Sequence, residues 1–194
     1  MIDDIQAKYK ADSSKVVIEN SPVKLSGDRM DVRVRETNLG NAVADALLDY
    51  GQSDFTHKSN LAVTNGGGLR ETIAKDKPIT KGDIIAVLPF GNSVAQIQVT
   101  GQNIYDMFVK SLGSILQVNE SGKNVFDENG QPLLEPSGGF LQVAGARVYY
   151  DTTLPTEKRI LSIDILDPET GVYKPLNTTE TYYLVTNDFL ACWW

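Results

Sequence analysis

The hydrophobic period of this chain switches repeatedly between that of a helix and that of a strand, and this limits the fold more than any other feature. Residues 38–50 carry Leu39, Val43, Ala46, Leu47 and Tyr50 at helical spacing. Thr37 or Asn38 can cap that helix and Gly51 can end it. Helical spacing returns at 101–112 through Ile104, Met107, Phe108 and Val109, and a short helix is expected at 82–88 before Pro89. Strand patterns lie between and after. Residues 61–64 form a short apolar run, 93–100 alternate through Val94, Ala95, Ile97 and Val99, and 160–166 alternate strongly. Residues 140–150 read as one strand and 182–186 as the last. Turns fall at 26–29 and 168–171, and 120–139 reads as a long loop rich in Gly, Asn, Pro and Glu. Helices and strands mix without strict alternation, so the fold class is α+β. The first 20 residues read as a polar arm with a short helix near 3–10 and a strand near 15–19. The domain proper is expected from about Val23, with residues 1–22 as a linker.

Length and charge narrow the function. One domain, with or without an arm, accounts for 194 residues, and 41% apolar with 22% charged residues is ordinary for a globular chain. No apolar run approaches a membrane span. A net charge of -7 argues against a general nucleic-acid surface, so any anion site must be local. Cys192 is the single cysteine, which leaves no intrachain disulfide. His57 is the single histidine and reads as a solvated loop residue. Hydrolytic zinc and two-metal sites draw on several His with carboxylates, and no G-x-S-x-G elbow is present, so no catalytic residue and no metal ligand is expected here.

Three segments carry candidate chemistry. In Arg33-Val34-Arg35-Glu36-Thr37-Asn38-Leu39-Gly40-Asn41, two arginines at i and i+2 on an extended stretch point to one face. They can grip phosphate or form exposed ion pairs with Asp31 and Glu36. In Asn65-Gly66-Gly67-Gly68-Leu69-Arg70, the glycines allow close backbone approach and positive φ, and Asn65 offers a donor and an acceptor. The segment is either a ligand site or a tight turn, and it fits neither G-x-G-x-x-G nor a Walker loop. In Leu88-Pro89-Phe90-Gly91-Asn92, Phe90 is either an aromatic displayed for stacking or a core residue at a strand entry.

Taken in order, these segments resemble the C-terminal domain of the 5'-nucleotidase family. The matching pieces are RVRETNLGN at 33–41, NGGGLR at 65–70, LPFG at 88–91, Gly101 after Gln98-Val99-Thr100, FLQVAG at 140–145 and NDFLA at 187–191, together covering about 23–191. The resemblance implies an α/β sandwich with a mixed sheet and flanking helices. It implies a role in binding nucleotide or nucleoside, beside an N-terminal metallophosphatase domain that holds two divalent metals. It further implies a base stacked between Phe90 and Phe189, Asn65 and Gly67 in the glycine turn beside it, and Arg33 and Arg70 near ribose and phosphate. Arg35 belongs to the same motif with a less defined role. Residues 1–22 then read as the linker from the metallophosphatase domain, the fragment alone as inactive, and the parent as extracellular or of the cell envelope. The competing readings are a free-standing module for nucleosides or other small ligands, and a structural spacer.

The pattern breaks at the end of the chain. Family members continue after FLA into Gly-Gly-Asp-Gly and an aromatic, whereas this chain reads Ala191-Cys192-Trp193-Trp194. One base inserted into codons for Ala-Ala-Gly-Gly-Asp yields Ala-Cys-Trp-Trp-stop, so a frameshifted, truncated end is expected, with a designed terminus as the alternative. Loss of the aspartate that helps to hold the ribose predicts weaker ligand binding.

Overall fold

The structure, a computed structural model, describes residues 2–192; Trp193 and Trp194, on which the frameshift expectation turns, lie outside the described residues. The chain runs α1 (Ile2–Ser13), β1 (Val16–Ile18), α2 (Arg29–Val32), α3 (Asn38–Ser53), β2 (Leu61–Asn65), β3 (Ile79–Thr80), α4 (Lys81–Val87), β4 (Val94–Thr100) and α5 (Gly101–Ser111). It continues with β5 (Leu141–Ala144), β6 (Ala146–Tyr150), β7 (Ile160–Leu166), β8 (Tyr173–Pro175), β9 (Thr181–Asn187) and α6 (Asp188–Ala191). This is the mixed α+β architecture that the hydrophobic periods predict.

The central sheet has the order β4-β9-β2-β5. β4 and β9 are antiparallel, β9 and β2 parallel, and β2 and β5 antiparallel. β2 is buried along its first four residues, which explains its unbroken apolar run: it has a layer on each face. On one face α3 places Ala44 against Ala62, Ala144 and Val185, small residues that let the helix approach closely. On the other face α5 and a second sheet, β6-β7-β8, cover Leu61, Val63 and Leu184 with Ile104, Met107, Phe108, Ile163 and Ile165. Burial of each such aliphatic side chain contributes about 1.5–3 kcal/mol.

Caps fix the helix starts. The Thr37 hydroxyl accepts from the Gly40 N–H at 3.0 Å. Thr100 and Asn103 form a reciprocal box at the start of α5. The α5 C-terminus is closed differently. Buried Arg159 donates from Nη1 to the carbonyls of Leu112 and Ser114, and from Nε to Leu154. A cation on carbonyls left over at a helix end complements both their lone pairs and the helix dipole.

Two sequence expectations are corrected here. Residues 140–150 are two strands in different sheets, divided at Gly145, where φ is +71° and a Cβ would stand 2.3 Å from the Asn60 carbonyl oxygen. Only glycine tolerates that corner. Arg33 and Arg35 are not on an extended stretch; Arg33 closes α2 with φ -105° and ψ 0°, and the two side chains have different neighbours, Arg29 and Arg70 for Arg33 but Asp31 and Glu128 for Arg35. The polar arm is not separate from its neighbours: β1 pairs with β3, and Lys81 of α4 forms an ion pair with Asp12 of α1. A set of backbone bridges between 116 and 134 gives the long loop a short meander of its own.

Candidate functional site

Topology creates one large cleft. The C-terminal ends of the parallel strands β2 and β9 and the N-terminal ends of their antiparallel neighbours β5 and β4 lie at the same end of the central sheet. α5 follows β4 and runs back toward that end. The loops diverge there and leave a cavity of about 1010 Å³. Its floor is Val63, Leu141 and Met107. Asn65, Gly67 and Gly68 form one wall with 137–139, and the last turns of α5 form the other.

Four of the sequence-predicted residues meet at this cleft: Asn65, Gly67, Phe90 and Phe189. Phe90 precedes β4 and Phe189 follows β9, and the Val94–Asn187 register brings these chain ends side by side. The rings are 58% and 53% exposed, so neither is a core residue. Phe189 is carried on α6, which Asn187 caps by accepting from the Leu190 N–H at 2.8 Å. The Asn187 amide also donates to Asn65 Oδ1 at 3.4 Å, and Asn65 Nδ2 donates to the Gly138 carbonyl at 3.1 Å. Asn65 is thus tied both to the start of α6 and to the wall at 137–139.

The glycine run serves packing rather than unusual dihedrals. None of Gly66, Gly67 and Gly68 has positive φ; they form a 3-10 turn. A Cβ on Gly66 would stand 2.0 Å from the Val32 carbonyl oxygen, so glycine here lets the end of α2 press against the turn.

The arginines stand at the lip rather than in the lining. Arg70 donates to the Gly67 carbonyl at 3.3 Å, with its guanidinium carbon 5.5 Å from the Phe90 ring centre. Arg33 is half-buried, and its Nε is the one buried side-chain nitrogen or oxygen among the described residues without a hydrogen-bond partner. Burial first, then the charges of Arg29 and Arg70, hold the Arg33 guanidinium below its ordinary pKa. Its carbonyl accepts from the Ser137 N–H at 3.0 Å, tying it to the cleft wall. Gln142, buried, fixes the same turn by donating to the carbonyls of Val32 and Arg35 and accepting from the Thr37 N–H.

Arg35 takes the other course. It forms ion pairs with Asp31 at 2.7 Å and Glu128 at 2.6 Å, which raise its pKa. Glu36 instead accepts from Asn41. His57 is exposed and stacks on Tyr183 at 4.3 Å between ring centres.

Sequence reasoning missed Arg29 beside Arg33, Asn187 bonded to Asn65, and the cleft wall made by Asp106 and Lys110 of α5, Ser114 in the turn after it, and Thr156. Asn187 carried a signal, an N-cap residue before a short helix. The α5 wall carried none, because polar residues on a helix face usually mean solvent.

A cleft at the ends of a parallel strand pair, with polar groups converging on an apolar floor, is the class of site that takes small molecules. The chain matches the family model described as 5'-nucleotidase, C-terminal domain, over residues 16–192, and it belongs to that family. It is 32% identical over 194 residues to the trifunctional nucleotide phosphoesterase protein YfkN of Bacillus subtilis (strain 168), covering 96% of this chain and 12% of that protein. It is 32% identical over 181 residues to a snake venom 5'-nucleotidase of Gloydius brevicauda, covering 87% of this chain and 27% of that one. Among solved structures, the 5'-nucleotidase precursor from Thermus thermophilus superposes with a TM-score of 0.72 at 32% identity, covering 98% of this chain and 32% of that one. The chain therefore spans less than a third of these relatives' lengths.

Proposed function

We propose that this domain holds the nucleotide substrate of a 5'-nucleotidase-type phosphoric ester hydrolase in nucleotide breakdown. The base stacks between Phe90 and Phe189, Asn65 meets its edge beside Gly67, and Arg33 and Arg70 take the phosphate or ribose. The observation that carries this reading is Arg33: a half-buried cation with an unpartnered Nε, surrounded by Arg29 and Arg70, at the lip of a cleft that exposes two phenylalanine rings. An anion placed there satisfies the donor and relieves the repulsion among the three cations, and forked guanidinium donors suit phosphate.

In this reading residues 1–22 lead from an N-terminal metallophosphatase domain that holds two divalent metals and performs the hydrolysis. Among the described residues no group of three or more His, Cys, Asp or Glu could hold a metal, and in this reading the hydrolytic step belongs to the metallophosphatase domain. Its share of the reaction is to bind, orient and present. An extracellular or cell-envelope setting for the parent accords with the venom relative.

The test is a calorimetric titration of the chain with adenosine and AMP. Saturable binding, tighter for AMP, with the AMP advantage lost in Arg33→Met, is the expected result. Binding of neither, or an AMP advantage unchanged in Arg33→Met, would overturn it. Turnover of AMP by this chain with added divalent metal would overturn the division of labour.

A further inference from the structure

The two sheets part at Gly145, and a second, smaller cavity of about 320 Å³ opens between their edges. β5 lies at one edge of the central sheet and β6 at one edge of the other. β5 pairs with β2 and β6 with β7, so among the described residues no strand bridges the gap between the two edges. Phe108, Leu112 and Phe140, all buried, line the floor, and Val143 and Val148 come in from the two edges. Of the residues that line the main cleft, only Ser111 and Leu141 reach this cavity, so the two share a wall but are separate spaces.

The polar lining is acidic. Glu36 accepts from the Asn41 amide at 2.7 Å, which leaves lone pairs on its carboxylate for another donor. The Tyr150 hydroxyl lies in the field of Glu36 and Asp127: burial first, then these two charges, push its pKa above the ordinary value. Arg147, the one cation of the lining, is engaged with Tyr173, its guanidinium carbon 4.0 Å from the ring centre. A protonated amine supplies three donors and the opposite charge, and it suits a carboxylate beside a phenol oxygen. The size sits at the lower end of the range of about 300–1,000 Å³ for ligand cavities, which favours a single ring.

We propose that this cavity is a second ligand site, distinct from the main cleft, that takes a small aromatic amine: one ring with a protonated amine on a short arm. The ring lies on Phe108, Leu112 and Phe140, and the ammonium group donates to Glu36 and to the Tyr150 hydroxyl oxygen. The inference does not rest on the nucleotide reading, because neither Phe90, Phe189 nor Asn65 lines this space.

The chain, labelled with nitrogen-15, is titrated with phenethylamine while its amide resonances are followed. 2-Phenylethanol and phenylacetate serve as the neutral and anionic counterparts of the same shape. Saturable binding of phenethylamine is expected, with the largest shifts at Val143 and Val148 and an affinity about tenfold above that of the alcohol, the gain from one charge-assisted hydrogen bond. Phenylacetate is expected to bind more weakly than the alcohol. Glu36→Gln is expected to bring the amine down to the level of the alcohol, and Tyr150→Phe to weaken the amine by a smaller factor. No saturable shift at Val143 and Val148, equal affinities for amine and alcohol, or an amine advantage that survives Glu36→Gln overturns the proposal. Shifts centred on Asn65 and Gly67 would place the amine in the main cleft and overturn the second site as well. Adenosine binding is read in a separate titration, so its failure would remove the nucleotide reading and leave this one standing.

Discussion

The two sheets of this domain are built from similar strands but end differently. The β6-β7-β8 sheet is antiparallel throughout, and its strands follow one another in the chain. Its buried residues Ile163 and Ile165 face the core, and its β7–β8 turn closes with Asp167 accepting from Glu169 and Thr170 N–H groups. The central sheet contains the parallel pair β9–β2, which no tight turn can join. Its strand ends are therefore met by long connections, and those connections diverge into the cleft. Adjacent strands in a meander close over themselves, whereas a parallel pair leaves room for a ligand at its C-terminal ends.

The first way to break this contrast is Ile163→Ala. It removes buried side chain from the face that supports α5 and is expected to cost about 2–5 kcal/mol of stability in urea unfolding. Adenosine affinity measured below the unfolding transition should change little if the closed sheet serves only as support. The next test works at the lip of the cleft. Arg33→Met is expected to weaken AMP binding by about 1.5–3 kcal/mol, the range for hydrogen bonds to charged groups. Arg35→Met, two residues away but already paired with Asp31 and Glu128, should change AMP affinity little and stability by about 0.2–1 kcal/mol. Equal losses of AMP affinity in both variants would remove the distinction between them.

Phe90→Ala should weaken adenosine binding by about 1–3 kcal/mol. Because the ring is exposed, its stability change should stay within about 0.5 kcal/mol. A large loss of stability would show that Phe90 supports the fold. The smallest effect belongs to the closed sheet. The Asp167 carboxyl is lowered from its ordinary 3.8 to about 2, chiefly by the hydrogen bond from Lys174, then by the Glu169 N–H. Its contribution is full above 3.8 and disappears as pH falls through about 2. Asp167→Asn should thus lower the melting temperature slightly at about pH 5 and leave it unchanged below about pH 2. A constant difference across that window would mean that its charge is not the cause.

Much of this arrangement was legible in the chain. The helices α3 and α5 and the strands β4, β7 and β9 follow from apolar period, because each buries a face or stripe. Phe90, Asn65, Gly67 and Phe189 emerged from ordered motifs, and they do line one cleft. Other features depend on contacts distant in sequence. The Asp31–Arg35 pair lies within one turn, but Glu128 reaches Arg35 from 93 residues away. Gly145 divides two sheets because of a carbonyl that belongs to Asn60.

The sequence by itself determined the class of fold, the position of its main elements and the family, since period and ordered motifs are local properties. Only the tertiary structure decided that Arg33 Nε is left without a partner while Arg35 is paired. It alone decided that Gly66 serves the close approach of Val32, and that α5 lends a polar face to the cleft. The reason is physical: a side chain's charge, shape and donors are written in its identity, but what they meet is set by the packing of strands and helices brought together from across the chain.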